Sequence, residues 1–126
     1  MKKLLLITFL LLSSVVCIAQ DTFVKKYTSS IAINNYVKDK WQSADITVVF
    51  NAGGVRDIVF YYPNGNTRTF HQITGMTKDK TTNGDEYQIV ECLDESGDRV
   101  AIQLFDDDTC LRVIIDKGYY VEFHRD

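Results

Sequence analysis

From residue 45 onward the chain alternates apolar and polar positions in short runs: DITVVF, DIVFYY, TRTFHQI, EYQIVECL, RVAIQLF, CLRVIID and YYVEF. Each run is rich in β-branched and aromatic side chains, which fit a pleated, half-buried surface. All seven glycines fall between runs, and the lone proline, Pro63, sits in the turn sequence YPNGN. Short runs separated by turn signals predict an antiparallel meander. No stretch beyond the first twenty residues keeps a 3.6-residue period for three turns, so helix is not expected. The predicted fold is all-β: a small up-and-down meander of about seven or eight strands, closed or nearly closed into a barrel. The earlier segment is less legible, with SSIAIN as a strand, NYVKDK as a polar connection, and Trp41 opening the next element. The polar stretch TGMTKDKTTNGD is either a loop or two strand ends flared around Asn83-Gly84.

Register follows from loop length and from which faces become apolar. A four-residue loop DDDT places Leu104 opposite Leu111, Ile102 opposite Val113 and Val100 opposite Ile115. A three-residue loop DKG, with Gly118 in the left-handed position, then sets Ile115 against Tyr119, Val113 against Val121 and Leu111 against Phe123. These residues share the buried face. Gln103, Arg112, Tyr120, Glu122 and His124 point the other way, and Gln103 and Arg112 are expected to be tolerant surface positions. The loop ESG pairs Asp94 with Asp98 and turns Cys92 inward, whereas Cys110 faces outward. Two strands apart, they are separated by about 9–10 Å, beyond the roughly 7 Å a disulfide tolerates. Both are expected as free thiols, with Cys92 a small core filler.

The start, MKKLLLITFLLLSSVVCIAQ, changes the picture of compartment. Lys2 and Lys3 precede the apolar run Leu4–Leu12, and Cys17 and Ala19 supply small residues at −3 and −1, the pattern of a cleaved export signal. The apolar run is well short of the ~20 residues of a spanning helix, and Val16 breaks the small-residue pattern of a lipid-attachment site at Cys17. The expected division is residues 1–19 as signal peptide and 20–126 as one domain, periplasmic or secreted, with no membrane insertion after cleavage. Removing 19 residues from 126 leaves 107, enough for one core. Removing Lys2 and Lys3 takes the formal charge from −3 to −5, and no basic run remains. Nucleic acid and anionic membranes are therefore not expected partners. In outline the domain resembles a truncated lipocalin-type barrel, but the G-x-W motif is missing: Trp41 follows Lys40 in DKW.

Candidate chemistry is sparse. Asp106-Asp107-Asp108 lacks the alternating spacing, the glycine and the distant glutamate of a calcium loop; Asp is favoured at the opening of a type I turn, which is the reading adopted. His71 and His124 have no partner at metal-ligand spacing, and neither HExxH, CxxC, GxSxG nor a glycine-rich phosphate loop occurs. No catalytic, cofactor-binding or metal-ligating residues are expected, and the chain is expected to be non-enzymatic. Aromatics exceed what one sheet face needs. Trp41, Tyr61 and Tyr120 form the candidate binding surface, because Tyr and Trp combine a large apolar body with a polar tip. The expected function is a monomeric exported module that binds a protein or a glycan. A carrier of a small apolar ligand inside the barrel is the alternative, and a hydrolase comes behind both.

Overall fold

The structure is a computed structural model that describes residues 21–35, 37–107, 109–116 and 118–125. The expected leader, residues 1–19, and Asp108 of the acidic triplet lie outside the described residues. Ten strands follow one another among the described residues: β1 (Phe23–Asn34), β2 (Val37–Lys38), β3 (Gln42–Phe50), β4 (Asp57–Tyr61), β5 (Thr67–Gln72), β6 (Thr77–Lys80), β7 (Glu86–Leu93), β8 (Arg99–Phe105), β9 (Cys110–Asp116) and β10 (Tyr119–His124). Eight of them, β1-β3-β4-β5-β7-β8-β9-β10, form an antiparallel meander, and β10 pairs back onto β1 to close the barrel. Pairing of β10 with β1 covers the two strands that would otherwise be the terminal edges of the meander, the usual liability of a small sheet.

The length of β1 makes closure possible. Its first part pairs with β3 from Phe23↔Phe50 to Ser30↔Gln42, and its second part pairs with β10 from Ser29↔His124 to Asn34↔Tyr119. Within the β3-paired part, just before pairing with β10 begins, the register shifts at Tyr27/Ser29, a β-bulge that bends the strand. The bulge also reverses the faces. Tyr27 is inside with the core, but beyond the bulge Ser30 and Ala32 lie opposite Phe123 and Val121 on the inner side, and Ile31 and Ile33 turn outward. Large residues thus go outside here and small ones inside.

β8, β9 and β10 pair as expected through most of their length, with Ile102↔Val113, Leu104↔Leu111, Val113↔Val121 and Leu111↔Phe123. Cys92 lies opposite Val100, and the β7–β8 turn closes by Asp94 N donating to Asp98 O at 2.9 Å. Correction is needed at the β9–β10 turn. Tyr119 pairs with Asp116 rather than Ile115, through a one-residue shift that Gly118 permits at φ 76. Ile115 (43% exposed) and Tyr119 (39%) therefore end outside the core instead of capping it.

The polar stretch 74–85 resolves as strand ends around Asn83-Gly84: β6 pairs with the first half of β7, from Thr77↔Ile89 to Lys80↔Glu86. β5 reaches β7 only at His71↔Leu93 and Gln72↔Cys92. The interior is occupied by the barrel's own side chains. Phe60, at its middle, meets Phe70 and Phe123 edge-on at 5.3 and 5.6 Å between ring centres. Eight strands leave just enough width for such filling. One end is latched by Asn51 and Gln72, both buried although polar and with no signal in the local sequence pattern. Gln72 Nε2 donates to Asn51 Oδ1, and Asn51 Nδ2 donates to the Asp21 carbonyl, each at 2.8 Å.

Candidate functional site

β10 alternates Val121 and Phe123 inward with Tyr120, Glu122 and His124 outward, as strand geometry requires. β9 sets Cys110 opposite His124 and Arg112 opposite Glu122, so four chemically active side chains meet on one outer face. Glu122 sits at the centre. Its Oε1 accepts from Arg112 Nε at 2.8 Å and its Oε2 accepts from His124 Nε2–H at 3.0 Å. The Arg112 guanidinium also lies over the rings of Phe105 (5.1 Å) and Tyr120 (5.3 Å). Charge, hydrogen bonding and ring stacking thus hold the arginine from three sides. Trp41, at the entry to β3, places its ring edge-on to His124, 4.6 Å between centres.

This face is not the plain solvated surface expected. Gln103, Cys110 and Glu122 are buried, as are Ile31 and Ile33 on the outward side of β1. The expectation that Gln103 and Arg112 are tolerant surface positions is therefore corrected. Alternation on β8–β10 marks these residues as outward, but an outward residue is solvated only when nothing lies across it. The neighbouring isoleucines, displaced outward by the bulge in β1, are not visible in the local pattern of β8–β10.

Of the three aromatics singled out in the sequence, the structure brings two to this face. Trp41 (51% exposed) and Tyr120 flank the Arg112–Glu122–His124 chain. Tyr61 stands apart on the outer face of β4, opposite Thr47 and Thr67. His71 is elsewhere too, its Nδ1 2.8 Å from Asp57 Oδ1 on an exposed rim. The acidic triplet, where described, behaves as a turn. Asp107 Oδ1 accepts from Thr109 Oγ1 at 2.8 Å and from Thr109 N at 3.1 Å, and these bonds hold its carboxyl below the usual range.

Cys92 and Cys110 are free and buried. Burial pushes the Cys92 thiol up to about 12 despite the nearby Arg56. Burial, and then the Glu122 carboxylate, push Cys110 up to about 12 as well. Nucleophilic chemistry needs the thiolate, so neither sulfur is activated in this arrangement. Alkylation of the folded protein at pH 8 should therefore be slow at both positions. Denaturation should release two reactive thiols from protein lacking residues 1–19. A native-state rate equal to that of the denatured chain would contradict this burial.

At the end of the barrel where the inner wall carries small residues, an open cleft of about 450 Å3 is lined by Ser30, Ala44, Ile46, Tyr62 and Pro63 among others. It follows from the bulge in β1, which turns Ser30 inward where a larger residue would fill the space. Comparison with known protein families, curated proteins and solved structures finds no match for this chain.

Proposed function

We propose that this protein is a small exported binding module without chemistry of its own, which engages a protein or a glycan through Trp41 and the outer face of β10. The observation that carries this reading is Trp41 itself: half its surface is open, yet its ring rests against His124. An aromatic held in place before contact loses little freedom on binding, and Trp is among the residues that most often dominate interface energetics. Export rests on the basic, apolar and small-residue order of residues 1–19. The acidic balance of the remaining chain argues against nucleic acid and anionic membrane, and the module is proposed to act as a monomer.

The test is a glycan array and a pull-down from the exported fraction, run with the wild-type protein, Trp41→Ala and Tyr61→Ala. A ligand of the proposed face should bind Trp41→Ala at least about 30-fold more weakly, the scale of a hot-spot residue. Tyr61→Ala should bind like wild type. Equal binding by all three proteins would remove Trp41 from the interface.

A second reading, carriage of a small apolar ligand, is favoured by the cleft beside Ser30, Ala44, Ile46 and Tyr62. Its volume falls within the range of small-molecule sites, although the central interior is occupied. Saturable binding of an apolar fluorescent probe, weakened by Ala44→Phe, would favour this reading over the first.

A further inference from the structure

We propose that Cys110, Glu122 and His124 form a binding site for a zinc-type divalent transition metal on the outer face of the β9–β10 hairpin. One ligand atom from each side chain lies within 4.8 Å of the other two. Strand pairing imposes the arrangement. Cys110 and His124 are directly opposed across the hairpin, and Glu122 is two residues before His124 on the same face. Linear spacing showed no metal signature because the ligands converge across a turn rather than along one segment.

The donor set defines the class of ion. A thiolate, an imidazole and a carboxylate suit a borderline-soft metal such as zinc, whereas calcium and magnesium require oxygen donors. Metal–ligand bonds of about 2.0–2.3 Å require the sulfur to move inward by roughly 1 Å. The carboxylate and imidazole atoms already lie 3.0 Å apart. On binding, the Cys110 thiol proton passes to solvent, and the imidazole proton moves from Nε2 to Nδ1, freeing the Nε2 lone pair. Glu122 has an oxygen for each role, with Oε1 still accepting from Arg112 Nε. Hydrogen bonding to a ligating carboxylate is the usual way such a ligand is oriented. Thiolate and carboxylate balance a dication, so Arg112 is left as the one net positive charge of the group. Three protein ligands leave a fourth position for water or an external donor, in contrast to a closed structural site.

The site is tested by titrating the purified protein with Co2+ alone and then displacing it with Zn2+. The expected result is one equivalent of Co2+ with a thiolate-to-cobalt charge-transfer band in the near ultraviolet, lost on adding Zn2+. Cys110→Ser should abolish the band, His124→Gln should weaken Co2+ binding at least about tenfold, and Cys92→Ser should leave both unchanged. A second measurement needs no variant: over incubations long enough for the buried thiols to react, Zn2+ should slow the alkylation of Cys110 further, but not that of Cys92, read by peptide mass spectrometry. Absence of the band together with unprotected Cys110 would overturn the proposal. So would a band that survives Cys110→Ser or is lost in Cys92→Ser. If Cys110→Ser does not fold, the alkylation measurement on wild-type protein decides.

Discussion

Phe60→Ala should destabilise the barrel by about 3–5 kcal/mol, the cost of removing a buried phenylalanine and leaving a cavity. Phe60 is 1% exposed, and its ring touches Phe70 on β5 and Phe123 on β10, from nearly opposite sides of the interior. Those neighbours belong to different strands whose backbones are fixed by closure of the ring, so the site has little freedom to collapse. Tyr61, one residue on, points outward and is 44% exposed. Tyr61→Ala should therefore stay within about 0.5 kcal/mol, as surface substitutions usually do. Urea melts of the two variants check the faces directly. A one-residue slip exchanges inside and outside along a strand, so comparable losses would mean that β4 is out of register.

Local chemistry made the second half of the chain legible and left the first half obscure. The runs EYQIVECL, RVAIQLF and CLRVIID match β7, β8 and β9 residue for residue. Each is bounded by a turn whose side chains close it: Asp94 Oδ1 accepts from the Ser96 and Asp98 amides, and Asp107 Oδ1 from Thr109. Pattern and turn chemistry agree there, so register could be counted from the sequence. The β9–β10 turn departs because a bulge satisfies the loop just as well, at the cost of exposing Ile115 and Tyr119. In β1, by contrast, the decisive feature is a bulge at Tyr27/Ser29 that no glycine or proline announces. The alternation of SSIAIN identifies a strand, but not which neighbour each half pairs with or which face is inside. The closing pair of the barrel, β1 with β10, lies far apart in sequence and has no local signal. The Asn51–Gln72 latch was hidden for a related reason, since both residues look like ordinary polar termini of their strands.

The candidate site divides along the same line. Cys110 opposite His124, with Glu122 beside it, follows from the register that sets Leu111 against Phe123. The linear spacing of the two histidines carries no sign of that juxtaposition, because the partners lie on different strands. Trp41 on His124 is different, because it depends on the path from β2 into β3, and no turn rule specifies that path. Outward orientation was thus readable for Cys110, Arg112, Glu122 and His124, whereas burial of that outer face was not.

Arg112→Ala provides the clearest measurement of that difference, with an expected loss of about 2–4 kcal/mol. Alternation alone places Arg112 on the outer face, where truncation costs about 0.5 kcal/mol or less. The structure instead makes it the main partner of a buried carboxylate, with Nε 2.8 Å from Glu122 Oε1. Removing one member of a buried ion pair leaves the other uncompensated, which costs several kcal/mol when burial is complete. Arg112 is a third exposed and Glu122 retains the His124 Nε2–H bond, so the lower part of that range applies. Loss of guanidinium packing on Phe105 and Tyr120 adds to the effect. Arg112→Lys should recover only part of the loss, because an ammonium keeps the charge but not the planar stack. Arg99, whose contact with Glu91 is 3.8 Å long between exposed side chains, is the control, and Arg99→Ala should fall within about 0.5 kcal/mol. A double-mutant cycle combining Arg112→Ala with Glu122→Gln should show coupling of about 0.5–3 kcal/mol, since removing the charge relieves the carboxylate that the first substitution strands. Purely additive losses, or an Arg112→Ala protein as stable as wild type, would show that Glu122 reaches solvent and that this face is an ordinary hydrated sheet surface.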